Sequence, residues 1–165
     1  MIRKLISRVF GRKPGHARPA TLEASQHGIR REDLSNGSRR TVETLQQHGY
    51  QAFVVGGAVR DLLAGIKPKD FDVATDATPE QVRQCFRRSR IIGRRFQIVH
   101  VMMGSETIEV TTFRGPHDDA AGGRAQTDAK GRVLRDNVFG SHEDDAARRD
   151  FTVNALYFDP SDETI

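Results

Sequence analysis

Asp70 and Asp72 stand on either side of Phe71 in the stretch KPKDFDVAT (67–75). If that stretch is extended, alternate side chains share a face. Both carboxylates then project together, their Cα atoms roughly 6.6 Å apart, while Phe71 turns to the other side. At an effective dielectric of about 20, two such charges repel by about 2.5 kcal/mol. Water relieves the repulsion at an exposed strand end, and so does a cation held between the two groups. Upstream, VVGGAVRD (54–61) reads as a strand that ends in Gly56 and Gly57 and passes at once into a helix. Glycines let a ligand approach the backbone, and a helix start attracts anions. Arg60, one turn in, could grip a phosphate with two donors, with Asp61 pairing locally; an ordinary strand–turn–helix carries the same pattern. A phosphate cradle followed by paired carboxylates fits metal-assisted phosphoryl or nucleotidyl transfer, because Mg²⁺ binds carboxylates together with substrate phosphate oxygens.

Two further groups could serve the same chemistry. DDAARRDFTVNAL (144–156) reads as one helical segment. Arg148 and Arg149 could take a triphosphate there. Asp150 and Asn154, four apart, would share a helical face and could hold ribose hydroxyls or a base. Glu109, in the β-branched run TIEVTTF (107–113), has Ile108 and Val110 pointing the other way. It is either a third carboxylate, if its strand lies beside the Asp strand, or an exposed strand position.

The elements that must position these groups follow from periodicity and punctuation. SRRTVETLQQHG (38–49) predicts a helix with a Ser cap, Val42 and Leu45 on one face and Gly49 as its stop. YQAFVVGG is a buried strand, AVRDLLAG a short helix and DFDVAT a strand. TPEQ (78–81) combines a Thr cap, Pro at the first position and Gln at the capping-box site, and the helix it opens is expected to reach Arg88. FQIVHVMM and TIEVTTF form a hairpin through GSE. Residues 114–132 read as a mobile loop, SHEDDAARR starts a last helix, and FTVNALYF returns to the core. The pattern is an α/β domain with a small mixed sheet. Residues 38–165 are expected to form it; 1–10 read as a basic amphipathic helix or loose arm, and 11–37 as linker.

Composition narrows the class. The 165 residues are 36% hydrophobic and 29% charged, in keeping with a soluble globular chain. No apolar run is long enough to span a membrane, and no apolar stretch of the secretory type follows the basic start. Cys85 is alone, which rules out an internal disulfide or a cysteine-cluster metal site and favours a reducing, cytoplasmic setting. Residues 1–40 carry ten Lys+Arg and three Asp+Glu, net +7, whereas 41–165 carry 16 and 19, net −3. Within the latter, RQCFRRSRIIGRR (83–95) holds six arginines and no acid. Such stretches attract polyanions, so Arg87, Arg88, Arg94 and Arg95 are candidate RNA contacts. The stripe on residues 1–10 suits an anionic membrane surface or RNA.

Taken together, GGAVRDLLAGIKPKDFDVAT and RRDFTVNAL resemble the class II nucleotidyltransferases of the DNA polymerase β superfamily, over about residues 38–165. These comprise CCA-adding tRNA nucleotidyltransferases and bacterial poly(A) polymerases. IIGRRFQIVHV (91–101) looks like the element that separates the latter from the former. The basic arm and the FRGPHDDAAGG…LRDNVFGS loop are similar to the bacterial poly(A) polymerase pattern too. The resemblance implies a polymerase β-like α+β head, a small mixed sheet flanked by helices. It implies Mg²⁺ (or Mn²⁺) at Asp70 and Asp72 and a third functional acid, which is Asp150 of the Arg-Arg-Asp motif or Glu109. Gly57, Arg60 and Arg149 match positions that contact the nucleotide in relatives, and Gly56 and Asn154 are grouped with them. The implied reaction adds AMP from ATP to an RNA 3′ end, with RNA-decay or RNA-chaperone proteins as partners. The alternatives are CCA addition to tRNA or a non-catalytic RNA-binding module. Family members continue into helical neck, body and tail regions, so the chain is expected to be the catalytic head of a longer protein, with YFDPSDETI (157–165) as a half-made hairpin.

Overall fold

The computed structural model describes residues 20–94, 96–115 and 139–165, with the backbone of 126–127 and 133–135. The arm at 1–10, Arg95 and most of the expected loop at 114–132 lie outside the described residues. Helix α1 (Ala24–His27) and a 3-10 turn (Arg31–Asp33) precede α2 (Asn36–Gln47). Then come β1 (Ala52–Val55), α3 (Gly57–Leu63), β2 (Asp72–Thr75) and α4 (Pro79–Cys85). Strands β3 (Ser89–Ile92), β4 (Ile98–Met103) and β5 (Glu106–Thr112) follow. A two-stranded ribbon pairs β6 (Gln126–Thr127) with β7 (Val133–Arg135). Helix α5 (His142–Ala147), a 3-10 turn (Thr152–Asn154) and β8 (Tyr157–Phe158) complete the order.

Six strands make one sheet in the order β3-β4-β5-β2-β1-β8. Only β2 and β5 pair in parallel; the other neighbours are antiparallel. Alternation gives the sheet two unlike faces. One carries Val54, Val73, Val99, Val101, Ile108 and Val110 and is covered by α2 and α4, which contribute Val42, Leu45 and Val82. The other has a smaller core of Val55, Ala74, Phe113 and Tyr157, with Phe53 and Ala146 packed on it. Capping explains the helix starts. Thr78 accepts from the Gln81 amide and Gln81 answers the Thr78 amide, with Pro79 in the first turn as expected.

Several expectations are corrected. The cap of α2 is Ser35, whose side chain accepts from the Ser38 amide, so the helix opens two residues before Ser38. The boundary drawn at 37/38 falls inside packed structure. Ile29 and Leu34 are buried in the main core, and Leu22 exchanges two backbone hydrogen bonds with Ile165. The final hairpin is as short as expected: beyond β8 a single bridge joins Asp159 to Thr164, and Ile165 pairs with Leu22. Helix α4 stops at Cys85, and β3, hidden in the arginine run, follows it. DDAARRDFTVNAL is not one helix, because α5 ends at Ala147 and a separate 3-10 turn holds Asn154.

The packing of residue 29 separates head from linker. Ile29→Ala should lower unfolding free energy by about 2–4 kcal/mol, read as a fall in the urea midpoint. A solvated linker residue would change it by less than about 0.5 kcal/mol.

Candidate active site

Pairing register brings the acidic groups together. Asp72 opens β2 and lies directly across from Glu109 of β5. Glu109 is in turn paired with His100 of β4, and His100 with Arg90 of β3. On the other side Asp72 faces Val55, and Val55 faces Tyr157. Arg90, His100, Glu109, Asp72, Val55 and Tyr157 thus form one row across the sheet, on the face opposite α2 and α4. Asp70 is exposed just before β2, and Phe71 packs toward the main core. Partial burial at the strand end raises the Asp72 carboxyl above its ordinary value. Glu109 and Asp70 push it the same way and Arg149 opposes them. The Asp72 pair with Glu109 answers the question of Glu109's place: it sits beside the Asp strand.

Asp150 does not join the row through a shared helix face. It is exposed beyond the end of α5, and its carboxylate accepts from the Phe151 amide. Among the described residues no three His, Cys, Asp or Glu side chains converge closely enough to hold a metal ion by themselves. Paired hard carboxylates completed by phosphate oxygens are nonetheless the donor set Mg²⁺ uses with nucleotides, and Asp70 and Asp72 fit it.

The glycine turn lies next to these acids. Gly56 has φ 74° and ψ −133°, a conformation that side-chain-bearing residues avoid. A Cβ there would also sit 3.5 Å from Arg149 Nη1. Gly57 begins α3, and Arg60 lies over it. Arg60 donates through Nε and Nη2 to Asp61 Oδ1 (2.9 and 2.8 Å) and through Nη1 to Asn154 Oδ1 (2.9 Å). Asn154 therefore reaches the turn from the 3-10 segment rather than from a helix shared with Asp150.

Arg149 is anchored at every nitrogen. It donates to Tyr157 Oη (3.0 Å), to the Asn154 carbonyl (3.4 Å) and to Asp145 Oδ2 (3.1 Å). The residue that sequence reasoning missed is Asp145. Its side chain is 3% exposed. It accepts from Tyr157 Oη (2.5 Å), from Arg148 (3.2 Å) and from the Arg114 amide (3.1 Å) as well. Burial alone would raise its carboxyl, but the Tyr157 and Arg114 hydrogen bonds and the Arg149 charge outweigh it and hold the value low. The same burial and the bond to Asp145 push the Tyr157 phenol far up. The available signal was the i, i+4 spacing of Asp145 and Arg149, obscured by two neighbouring acids.

The basic run lies apart from this anchor. Arg87, Arg88 and Arg94 are exposed around the edge strand β3, and Arg95 lies outside the described residues. Gly93 (φ 90°) turns the chain there, and a Cβ on it would strike the Phe96 carbonyl. The Arg114 guanidinium sits 4.7 Å over the Phe96 ring, joining this turn to the end of β5.

Paired carboxylates beside a glycine turn on a mixed sheet fit the head domain of a nucleotidyltransferase. Residues 52–165 match the poly(A) polymerase head domain family, and the chain belongs to that family. It is 52% identical over 153 residues to the poly(A) polymerase I of Escherichia coli O6:H1, covering 90% of this chain and 33% of that protein. Against the poly(A) polymerase I of Haemophilus influenzae, identity is 52% over 146 residues, covering 87% of this chain and 32% of that protein. The chain thus spans about a third of the length of these relatives. Among solved structures, the Bacillus stearothermophilus CCA-adding enzyme in complex with CTP superposes with TM-score 0.57 at 38% identity, covering 76% of this chain and 28% of that chain.

Breaking the buried anchor should be costly. Asp145→Asn leaves two arginines without their carboxylate and should destabilise the fold by about 3 kcal/mol. The pH dependence has a defined sign. The folded carboxyl value lies below the unfolded one, so its stabilisation is present above the unfolded value and is lost as pH falls through the folded one. Acid unfolding followed by circular dichroism should show a shallower slope in the variant.

Proposed function

We propose that the chain is the catalytic head of an RNA 3′-terminal adenylyltransferase, in which the RNA 3′-hydroxyl attacks the α-phosphate of ATP and pyrophosphate leaves. The observation that carries this reading is the Asp72–Glu109 pairing beside the Gly56 turn, supported by the 52% identity to poly(A) polymerase I. Asp70 and Asp72 would hold Mg²⁺, or Mn²⁺ in its place, with Glu109 as the third carboxylate. The ion supplies charge neutralisation and lowers the pKa of the attacking hydroxyl. Gly56 and Gly57 admit the triphosphate to the backbone, and Arg60 lies over the turn to meet it. Arg149 fixes the turn from behind and places positive charge near Asp72. Asn154 orients Arg60. Asp150, exposed past α5, is left for substrate hydroxyls. Arg87, Arg88, Arg94 and Arg95 would track the RNA backbone. The lone Cys85 supports a reducing, cytoplasmic setting for such an enzyme; RNA-decay or RNA-chaperone proteins would be its protein partners.

CCA addition is the second reading, favoured by the superposition on a CCA-adding enzyme. Product length decides between them: a three-nucleotide addition stops, whereas a poly(A) tail grows.

Asp70→Ala and Asp72→Asn should each reduce AMP incorporation into RNA at least 100-fold, measured by gel extension with labelled ATP; more than a tenth of the activity remaining in either variant refutes the assignment. Asp72→Asn should also gain stability, by less than about 1 kcal/mol after solvent screening. Its folded carboxyl value is raised, so stability is lost as pH rises through that value, and the amide removes the loss.

Replacing Arg87, Arg88 and Arg94 together by Ala should cut the salt dependence of RNA binding by about 2 in slope of log K against log salt, as three lost phosphate contacts to a single strand require. Filter binding across a salt series measures it, and an unchanged slope shows that these arginines touch no phosphate.

A further inference from the structure

The row of paired residues does not end at Glu109. His100, its cross-strand neighbour on β4, points to the same face, and its Nε2 lies 3.4 Å from Glu109 Oε1. That nitrogen is buried and makes no hydrogen bond. A buried polar atom without a partner is costly, and a shift of a few tenths of an ångström would turn the 3.4 Å approach into a good N–H···O bond. Glu109 stands between two unlike neighbours: the Asp72 carboxylate, which repels it, and the His100 ring, which can donate to it as the Nε2–H tautomer. Arg90 follows on β3, across from His100.

We propose that His100 is a positioning residue for Glu109. It holds one carboxylate oxygen by an Nε2–H donor, so that Glu109 keeps its place against Asp72 instead of swinging into solvent, where half of its side chain already lies. His100 touches neither nucleotide nor RNA. Its effect passes through Glu109 alone, as the partners of liganding side chains act in metal sites generally. The proposal gives the segment 91–101 a mechanical link to the acids: the strand that carries Ile98 and Val99 also carries the donor that steadies Glu109. It rests on the reading of Asp72 and Glu109 as metal-binding groups.

Mn²⁺ binding tests it, with free Mn²⁺ counted by electron paramagnetic resonance in the presence of ATP, together with the thermal midpoint of each variant. His100→Ala should weaken Mn²⁺ binding about 10-fold, at a thermal midpoint that shows a folded chain. His100→Gln, whose side-chain amide can donate from a similar place, should return affinity to within about 3-fold of the parent. In a Glu109→Gln background, His100→Ala should have no further effect. Unchanged Mn²⁺ affinity in His100→Ala overturns the proposal, as does a loss that persists undiminished in the Glu109→Gln background. Should His100→Ala fail to fold, the Gln variant still decides: a 10-fold loss in a folded His100→Gln counts against a donor role. Asp72→Asn separates the two levels. If it too leaves Mn²⁺ binding intact, the metal reading of the acids fails and takes the proposal with it; if it abolishes binding while His100→Ala changes nothing, only the proposal fails.

Discussion

The parallel pairing of β2 with β5 is the contact on which the site depends. It sets Asp72 directly opposite Glu109, and parallel strands stand about 4.8 Å apart. Like charges that close are unfavourable, and the repulsion adds to the partial burial that raises the Asp72 carboxyl. The fold holds them there through valines on the opposite side. Val73 and Val110 are themselves paired, and both are buried under α2 and α4. A one-residue slip would turn Val73 and Val110 off the core face and bring neighbours such as Asp72, Ala74, Glu109 or Thr111 onto it. The hydrophobic face therefore fixes register, and register fixes the distance between the carboxylates.

The same logic explains the crossover. Parallel neighbours cannot be joined by a tight turn. The chain leaves β2, forms α4, and lays down β3 and β4 before returning as β5. The edge of the sheet and the row extension through His100 are products of that route. On the other flank, β1 and β8 pair antiparallel and bring Tyr157 beside Val55, where its hydroxyl ties Asp145 and Arg149 to the turn at Gly56.

How much of this was legible depended on the range of the interaction. The Asp pair, the glycine turn, the Thr78 cap and the β4–β5 hairpin were readable because each is set within a few residues. Glu109 could only be offered as one of two third acids, since strand neighbourhood is a long-range fact. Asp145 was missed because its partners, Tyr157 and the Arg114 amide, come from distant segments. Asp150 and Asn154 were wrongly placed on one helix: composition favoured continuing it, but α5 ends at Ala147 and Asn154 sits in a separate 3-10 turn. Ile29 and Leu34 looked like linker because glycines and polar residues surround them, although their apolar side chains complete the core.

The chain has two tyrosines and no tryptophan, which gives the anchor a spectroscopic meaning. Tyr157 is buried, donates to a carboxylate and stands edge-on to the His142 ring at 4.2 Å; Tyr50 lies beside the main core. A phenol bound to a carboxylate emits weakly, so in the folded chain the ultraviolet emission is expected to come mainly from Tyr50. Light from Tyr157 returns when Asp145 lets go of it, and the protein thus carries an intrinsic lamp wired to the clamp behind its glycine turn.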